Sequence, residues 1–116
     1  MKKARGNKLK GDTYKIKTGC GNLYITINHN ADDQPIEIFI TMGKAGGCAA
    51  SQLETISRSM SLGLRYGVPI EEFIKQLGGI SCHSALNVEG NKISSCTDAI
   101  AQMLKLHIEF KKKEAI

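Results

Sequence analysis

The hydrophobic pattern of this chain changes period once, near residue 43, and that change limits the fold more than any other feature. Before it, apolar residues alternate with polar ones. Tyr14-Lys15-Ile16-Lys17 reads as a short strand, and Leu23, Ile25 and Ile27 share one face of a second. Ile36, Ile38 and Ile40 share one face of a third, with Glu37, Phe39 and Thr41 opposite. Gly19-Cys20-Gly21-Asn22 is a turn, and the stretch from His29 to Pro35 is a polar loop with breaker residues. Three strands joined this way predict an antiparallel meander.

After the glycine-rich turn from Gly43 to Gly47, apolar residues recur at steps of three and four. Leu53, Ile56, Met60 and Leu64 mark one face of a helix over 48–66, with Glu54 and Arg58 in the favourable order on its flank. Gly67 ends it and Pro69 opens a second helix carrying Ile70, Phe73, Ile74 and Leu77, which Gly78-Gly79 stops. Residues 80–95 are compatible with a small hairpin turning at Glu89-Gly90. Ser94 or Ser95 is a candidate N-cap for a third helix over 96–112, marked by Ile100, Met103, Leu104 and Ile108. Strands gathered first and helices later imply an α+β domain, a three-stranded meander packed against about three helices.

At 116 residues the chain has the size of one domain. The net charge is +5, but Lys2, Lys3, Arg5, Lys8 and Lys10 account for the excess, and elsewhere acids and bases balance. The expected layout is a flexible basic tail over 1–11, a domain over 12–112 and a short tail over 113–116. Such a tail can touch nucleic acid, though a solvated arm is the commoner outcome. Nothing approaches the run of about 18 apolar residues of a membrane span, and the N-terminus has no apolar signal core. The expected setting is the reducing cytoplasm, where structural disulfides are rare.

Four cysteines then need a role. Cys20, Cys48, Cys82 and Cys96 form no C-x-x-C pair, so no standard zinc-finger spacing is present. Each nevertheless lies in or just after a turn or opens a helix: Cys20 sits between two glycines, Cys48 and Cys82 follow glycine pairs, and Cys96 opens the last helix. A helix N-terminus favours the thiolate, which is both metal ligand and nucleophile, and four thiolates suit tetrahedral zinc. The alternatives are small core residues and redox-active thiol pairs. His83 could replace one cysteine as a ligand or be a loop residue. His29 reads as a polar loop residue and His107 as a helix-surface residue.

A second constellation is the strand–turn–helix junction of Gly43, Lys44, Ala45, Gly46 and Gly47. Its backbone N–H groups, with Ser51 and Arg58 beyond, suggest an anion or nucleotide site. It is not a Walker A loop, and a tight turn packing the helix on the sheet is the competing reading. Asp98 reads as a stabiliser of its helix N-terminus. No Ser-His-Asp set or paired carboxylates occur at a usable spacing.

The stretches YKIKTGCGNLYITIN, IFITMGKAGGCAASQLETISR, GVPIEEFIKQLGGISC and SSCTDAIAQML resemble the TSCPD domain. That domain ends many adenosylcobalamin-dependent (class II) ribonucleotide reductases and also stands alone. The resemblance runs from Tyr14 to Leu104, and all four cysteines fall where the family motifs carry cysteine. The eponymous Thr-Ser-Cys-Pro-Asp reads Ser94-Ser95-Cys96-Thr97-Asp98 here, and His83 stands where members often have Pro. The resemblance implies a non-catalytic accessory module with a four-cysteine zinc site. It also implies a reductase, a nucleotide or, less favoured, nucleic acid as partner, and an oligomer as one option. The catalytic barrel of the reductase is not in this sequence. A small nucleotide-binding or sequestering protein and a thiol redox protein remain the alternatives.

Overall fold

The computed structural model describes residues 2–43, 47–82, 85–88 and 90–114. The elements are β1 (Lys10–Thr18), β2 (Gly21–His29), β3 (Pro35–Met42), α1 (Gly47–Arg65), α2 (Ile70–Leu77), β4 (Leu86–Val88), β5 (Asn91–Ile93) and α3 (Cys96–Glu114). The first three strands form an antiparallel sheet in the order β1-β2-β3, and β4 and β5 form a separate hairpin. The α+β meander expected from the period change is present. No helix among the described residues is long and apolar enough to cross a membrane.

β1 starts earlier than its alternation suggests. Lys10 to Thr13 pair with His29 to Thr26 through the backbone, and the hydroxyls of Thr13 and Thr26 lie 2.7 Å apart. Polar residues paired this way leave no hydrophobic signal. The basic segment before β1 is docked at two places. The Lys3 N–H donates to the Arg65 carbonyl at 2.7 Å, and the Arg5 guanidinium pairs with Glu37 at 2.8 Å.

The core lies on one face of the sheet. Leu23, Ile25, Ile27, Ile38 and Ile40 are buried there against Leu53, Met60 and Leu64 of α1 and Ile100 and Leu104 of α3, and Ile36 is buried as well. Each such side chain contributes about 1.5–3 kcal/mol by leaving water. Ile56 is only partly buried, and Ser57 takes a buried position on the stripe of α1 instead.

That serine explains how α1 sits. β3 is a sheet edge, and an edge presents unpaired N–H and C=O groups. Ser57 Oγ accepts the Ile40 N–H at 3.0 Å, and Ser61 Oγ accepts the Ile38 N–H at 2.9 Å. Ser61 also donates to the Ile38 carbonyl at 3.1 Å, and Ser57 to the Leu53 carbonyl of its own helix at 2.9 Å. Two serines one turn apart therefore replace a fourth strand.

α1 ends as its sequence predicts. Gly67 adopts φ +98°, the Val68 N–H reaches the Gly63 carbonyl at 3.0 Å, and the Gly67 N–H reaches Leu64 at 3.1 Å, a Schellman closure. Gly63 has a second job: a Cβ there would lie 2.8 Å from Phe73 Cζ, so its absence lets α2 settle on α1.

Candidate functional site

The four cysteine-bearing segments meet at one end of the fold. Cys20 lies in the β1–β2 turn. The end of β3 lies beside that turn, since the Gly43 N–H donates to the Asn22 carbonyl at 3.2 Å; Met42 shares a groove with Ala50 in the first turn of α1, where Cys48 is the second residue. Cys96 opens α3, and the Cys82 N–H donates to the Ser94 carbonyl at 2.9 Å, two residues before it.

Thr18, buried at the end of β1, links two of these segments. Its hydroxyl donates to the Gly21 carbonyl at 2.8 Å and accepts the Cys20 N–H at 3.1 Å. The Cys96 sulfur lies 3.6 Å from the same oxygen. With the Thr18 proton committed to Gly21, the Cys96 S–H is the donor in that contact.

The stretch around Cys96 is built to hold that position. Ser95 is the N-cap of α3: its Oγ accepts the Asp98 N–H at 3.0 Å and donates to the Ile80 carbonyl. Of the two candidates for that cap, Ser95 holds the place. Asp98, buried, does more than stabilise a helix end. Its carboxylate accepts the Gly79 N–H at 2.9 Å, the Ser94 N–H at 3.0 Å and the Gln102 amide at 2.9 Å. Burial opposes ionisation of Asp98, but these three donors outweigh it and hold the carboxyl below its usual range. Asp98 thus ties the end of α2 to the first turn of α3, and the serine and aspartate of the SSCTD stretch fix Cys96 at the first helical position.

As donors four thiols suit zinc, and the segments that carry them lie at one end of the fold. They stand open rather than closed. Cys20 and Cys48 are exposed, Cys82 and Cys96 are half-buried, and among the described residues no three His, Cys, Asp or Glu side chains stand together to hold a metal ion. His83 lies outside the described residues.

Of the expected anion site, Arg58 stands apart from Gly43, Gly47 and Ser51 among the described residues. Lys44, Ala45 and Gly46 lie outside the described residues. Ser51 donates to the Cys48 carbonyl at 3.0 Å within its helix. Arg58 lies about 16 Å along α1 from Gly47 by the helical rise. It pairs with Glu54 at 2.8 Å and lines a groove of about 680 Å³ between α1 and β3, to which Gly43, Gly47 and Ser51 do not contribute.

Two side chains read as peripheral are in the core. His29 is 7% exposed and His107 1% exposed. Their Nε2 atoms are 2.7 Å apart, Tyr14 Oη lies 2.7 Å from His107 Nδ1, and His29 Nδ1 lies 3.0 Å from the Asp33 carbonyl. With both rings neutral, one proton arrangement satisfies this chain. Asp33 offers only an acceptor, so His29 carries its proton on Nδ1; His107 must then donate from Nε2, and Tyr14 donates to its Nδ1. Burial pushes the His107 pKa below the ordinary imidazole value, the His29 ring and Lys111 add to this, and Asp12 opposes it. The signal was positional. His29 continues the alternation of Leu23, Ile25 and Ile27, and His107 falls three residues after Leu104 on the inward stripe of α3.

The sequence matches the TSCPD domain family over residues 1–108. Among curated relatives, it is 33% identical over 85 residues to a vitamin B12-dependent ribonucleotide reductase of Agrobacterium fabrum, covering 73% of this chain and 7% of that protein. It is 35% identical over 66 residues to the enzyme of the same name from Streptantibioticus cattleyicolor, covering 57% of this chain and 11% of that protein. A third, from Bradyrhizobium diazoefficiens, is 33% identical over 85 residues, again 73% of this chain and 7% of the relative. The chain thus spans only a small part of the length of these relatives. No solved structure matches it. A family match over nearly the whole sequence, on a fold whose SSCTD stretch anchors the last helix, shows that this chain belongs to the TSCPD domain family.

Proposed function

We propose that this chain is a non-catalytic accessory module of a ribonucleotide reductase, in which Cys20, Cys48, Cys82 and Cys96 hold one structural zinc ion. The observation that carries this reading is the convergence of four cysteine-bearing segments, from otherwise separate parts of the chain, on one end of the fold. Zinc bound there would supply a four-thiolate cross-link between the sheet, α1 and α3. On loading, Cys96 gives up its S–H and with it the contact to Thr18, while Ser95 and Asp98 keep the start of α3 in place. The likeness to B12-dependent reductases supports such an enzyme as the partner in this reading, met in the cytoplasm, with self-association as a further option.

Elemental analysis of protein purified without chelator tests the metal. A closed structural site should be nearly full, and less than about 0.2 zinc per chain would sink the proposal. Rapid alkylation of one low-pKa cysteine in zinc-free folded protein would favour a thiol redox protein instead. The nucleotide reading has less support, because Arg58 and Gly47 stand apart; a clear thermal shift with millimolar nucleotide would revive it.

A further inference from the structure

The sheet buries one face and leaves the other open. On the open face the rows across β1, β2 and β3 are Lys17 and Asn22, then Lys15, Tyr24 and Thr41, then Thr13, Thr26 and Phe39. Phe39 is 52% exposed and Tyr24 36% exposed. They sit diagonally on adjacent strands, Tyr24 opposite Thr41 and Phe39 opposite Thr26. Lys15 lies directly across from Tyr24, its Nζ 6.0 Å from the ring centre, and Lys17 follows about 7 Å along β1.

Among the described residues, the exposed charge on this face is positive. Its acid, Glu37, is buried at the far end of the face and already held by Arg5 at 2.8 and 3.2 Å and by the Asn28 amide at 2.6 Å. We propose that the open sheet face binds single-stranded nucleic acid, with bases stacking on Tyr24 and Phe39 and phosphates held by Lys15 and Lys17.

Two flat aromatic platforms beside uncompensated cations are what an unpaired, phosphate-linked base run recognises. A second copy of the same face would set lysines against lysines. A peptide adding as a strand would use a sheet edge rather than this face, and on the β3 edge the Ile38 and Ile40 N–H groups are already taken by Ser61 and Ser57.

The test is fluorescence anisotropy of a labelled oligothymidylate of about twelve nucleotides with the full chain at about 50 mM salt. Saturable binding is expected, weaker for a duplex of the same length. Tyr24→Ala and Phe39→Ala should each weaken it about fivefold or more. The Lys15→Ala/Lys17→Ala pair should lower the slope of log affinity against log salt by about 1.4. Unchanged thermal midpoints confirm that these exposed substitutions leave the fold intact. A control with Lys2, Lys3, Lys8 and Lys10 changed to Ser should keep the dependence on Tyr24 and Phe39. The proposal is overturned by no binding at about 100 μM protein, by equal or tighter duplex binding, or by binding that survives loss of both aromatics and vanishes with the tail lysines.

Discussion

At the scale of single residues, His107 couples the fold to pH. The folded-state pKa of His107 is lowered, while the unfolded chain titrates near about 6.5. The unfolded state therefore takes the proton first as pH falls. The stability contributed by neutral His107 is fully present above about 6.5 and is lost as pH drops from there toward the lower folded value. Asp98 acts in a separate window, its depressed pKa costing stability only below about 4. Urea midpoints from pH 7.5 to 5 should fall for the parent chain and fall less steeply for His107→Gln. Parallel curves would show that His107 is not the group responsible. The two histidines also show where reading by residue type misleads: their positions in the apolar pattern were sound, and their polarity concealed them.

Among the elements, α1 does more than its amphipathic stripe suggests. Its serines satisfy two backbone donors of β3, and nothing in the pattern Leu53, Ile56, Met60, Leu64 distinguishes Ser57 and Ser61 from exposed serines. Ser57→Ala should destabilise the chain by about 1–2 kcal/mol, because a buried N–H loses its acceptor and the gain in helix propensity offsets part of that cost. Ser61→Ala, at a more exposed position, should cost less. Denaturant unfolding measures both, and a loss under about 0.3 kcal/mol for Ser57→Ala would mean that water replaces the hydroxyl. The meander, the three helices and the Gly67 stop were legible because each rests on hydrophobic period or turn chemistry. The start of β1 at Lys10 was not, since its pairing is made by backbone. The cysteines were legible as a set from their placement at turns and helix starts, whereas distances between segments remote in sequence leave no mark in spacing.

For the whole molecule, a shared metal would tie the start of α3 to the first turn of the sheet and the start of α1. Zinc-loaded protein should melt well above protein treated with chelator, and Cys96→Ser should remove most of the difference. Equal melting temperatures with and without chelator would assign the cysteines another role. The strand faces and α3 also depend on one another over long distances. Tyr14 meets His107 and Thr18 meets Cys96, so the first strand is completed by the last helix. Contacts this remote close late, because the loop entropy between them is paid before they form. Until α3 arrives, Leu23, Ile25 and Ile27 have only part of their cover, that from α1. During synthesis the core therefore stays incomplete until α3 leaves the ribosome, and a chain cut before Cys96 keeps its strands and α1 but loses the part of the cover that Ile100 and Leu104 supply.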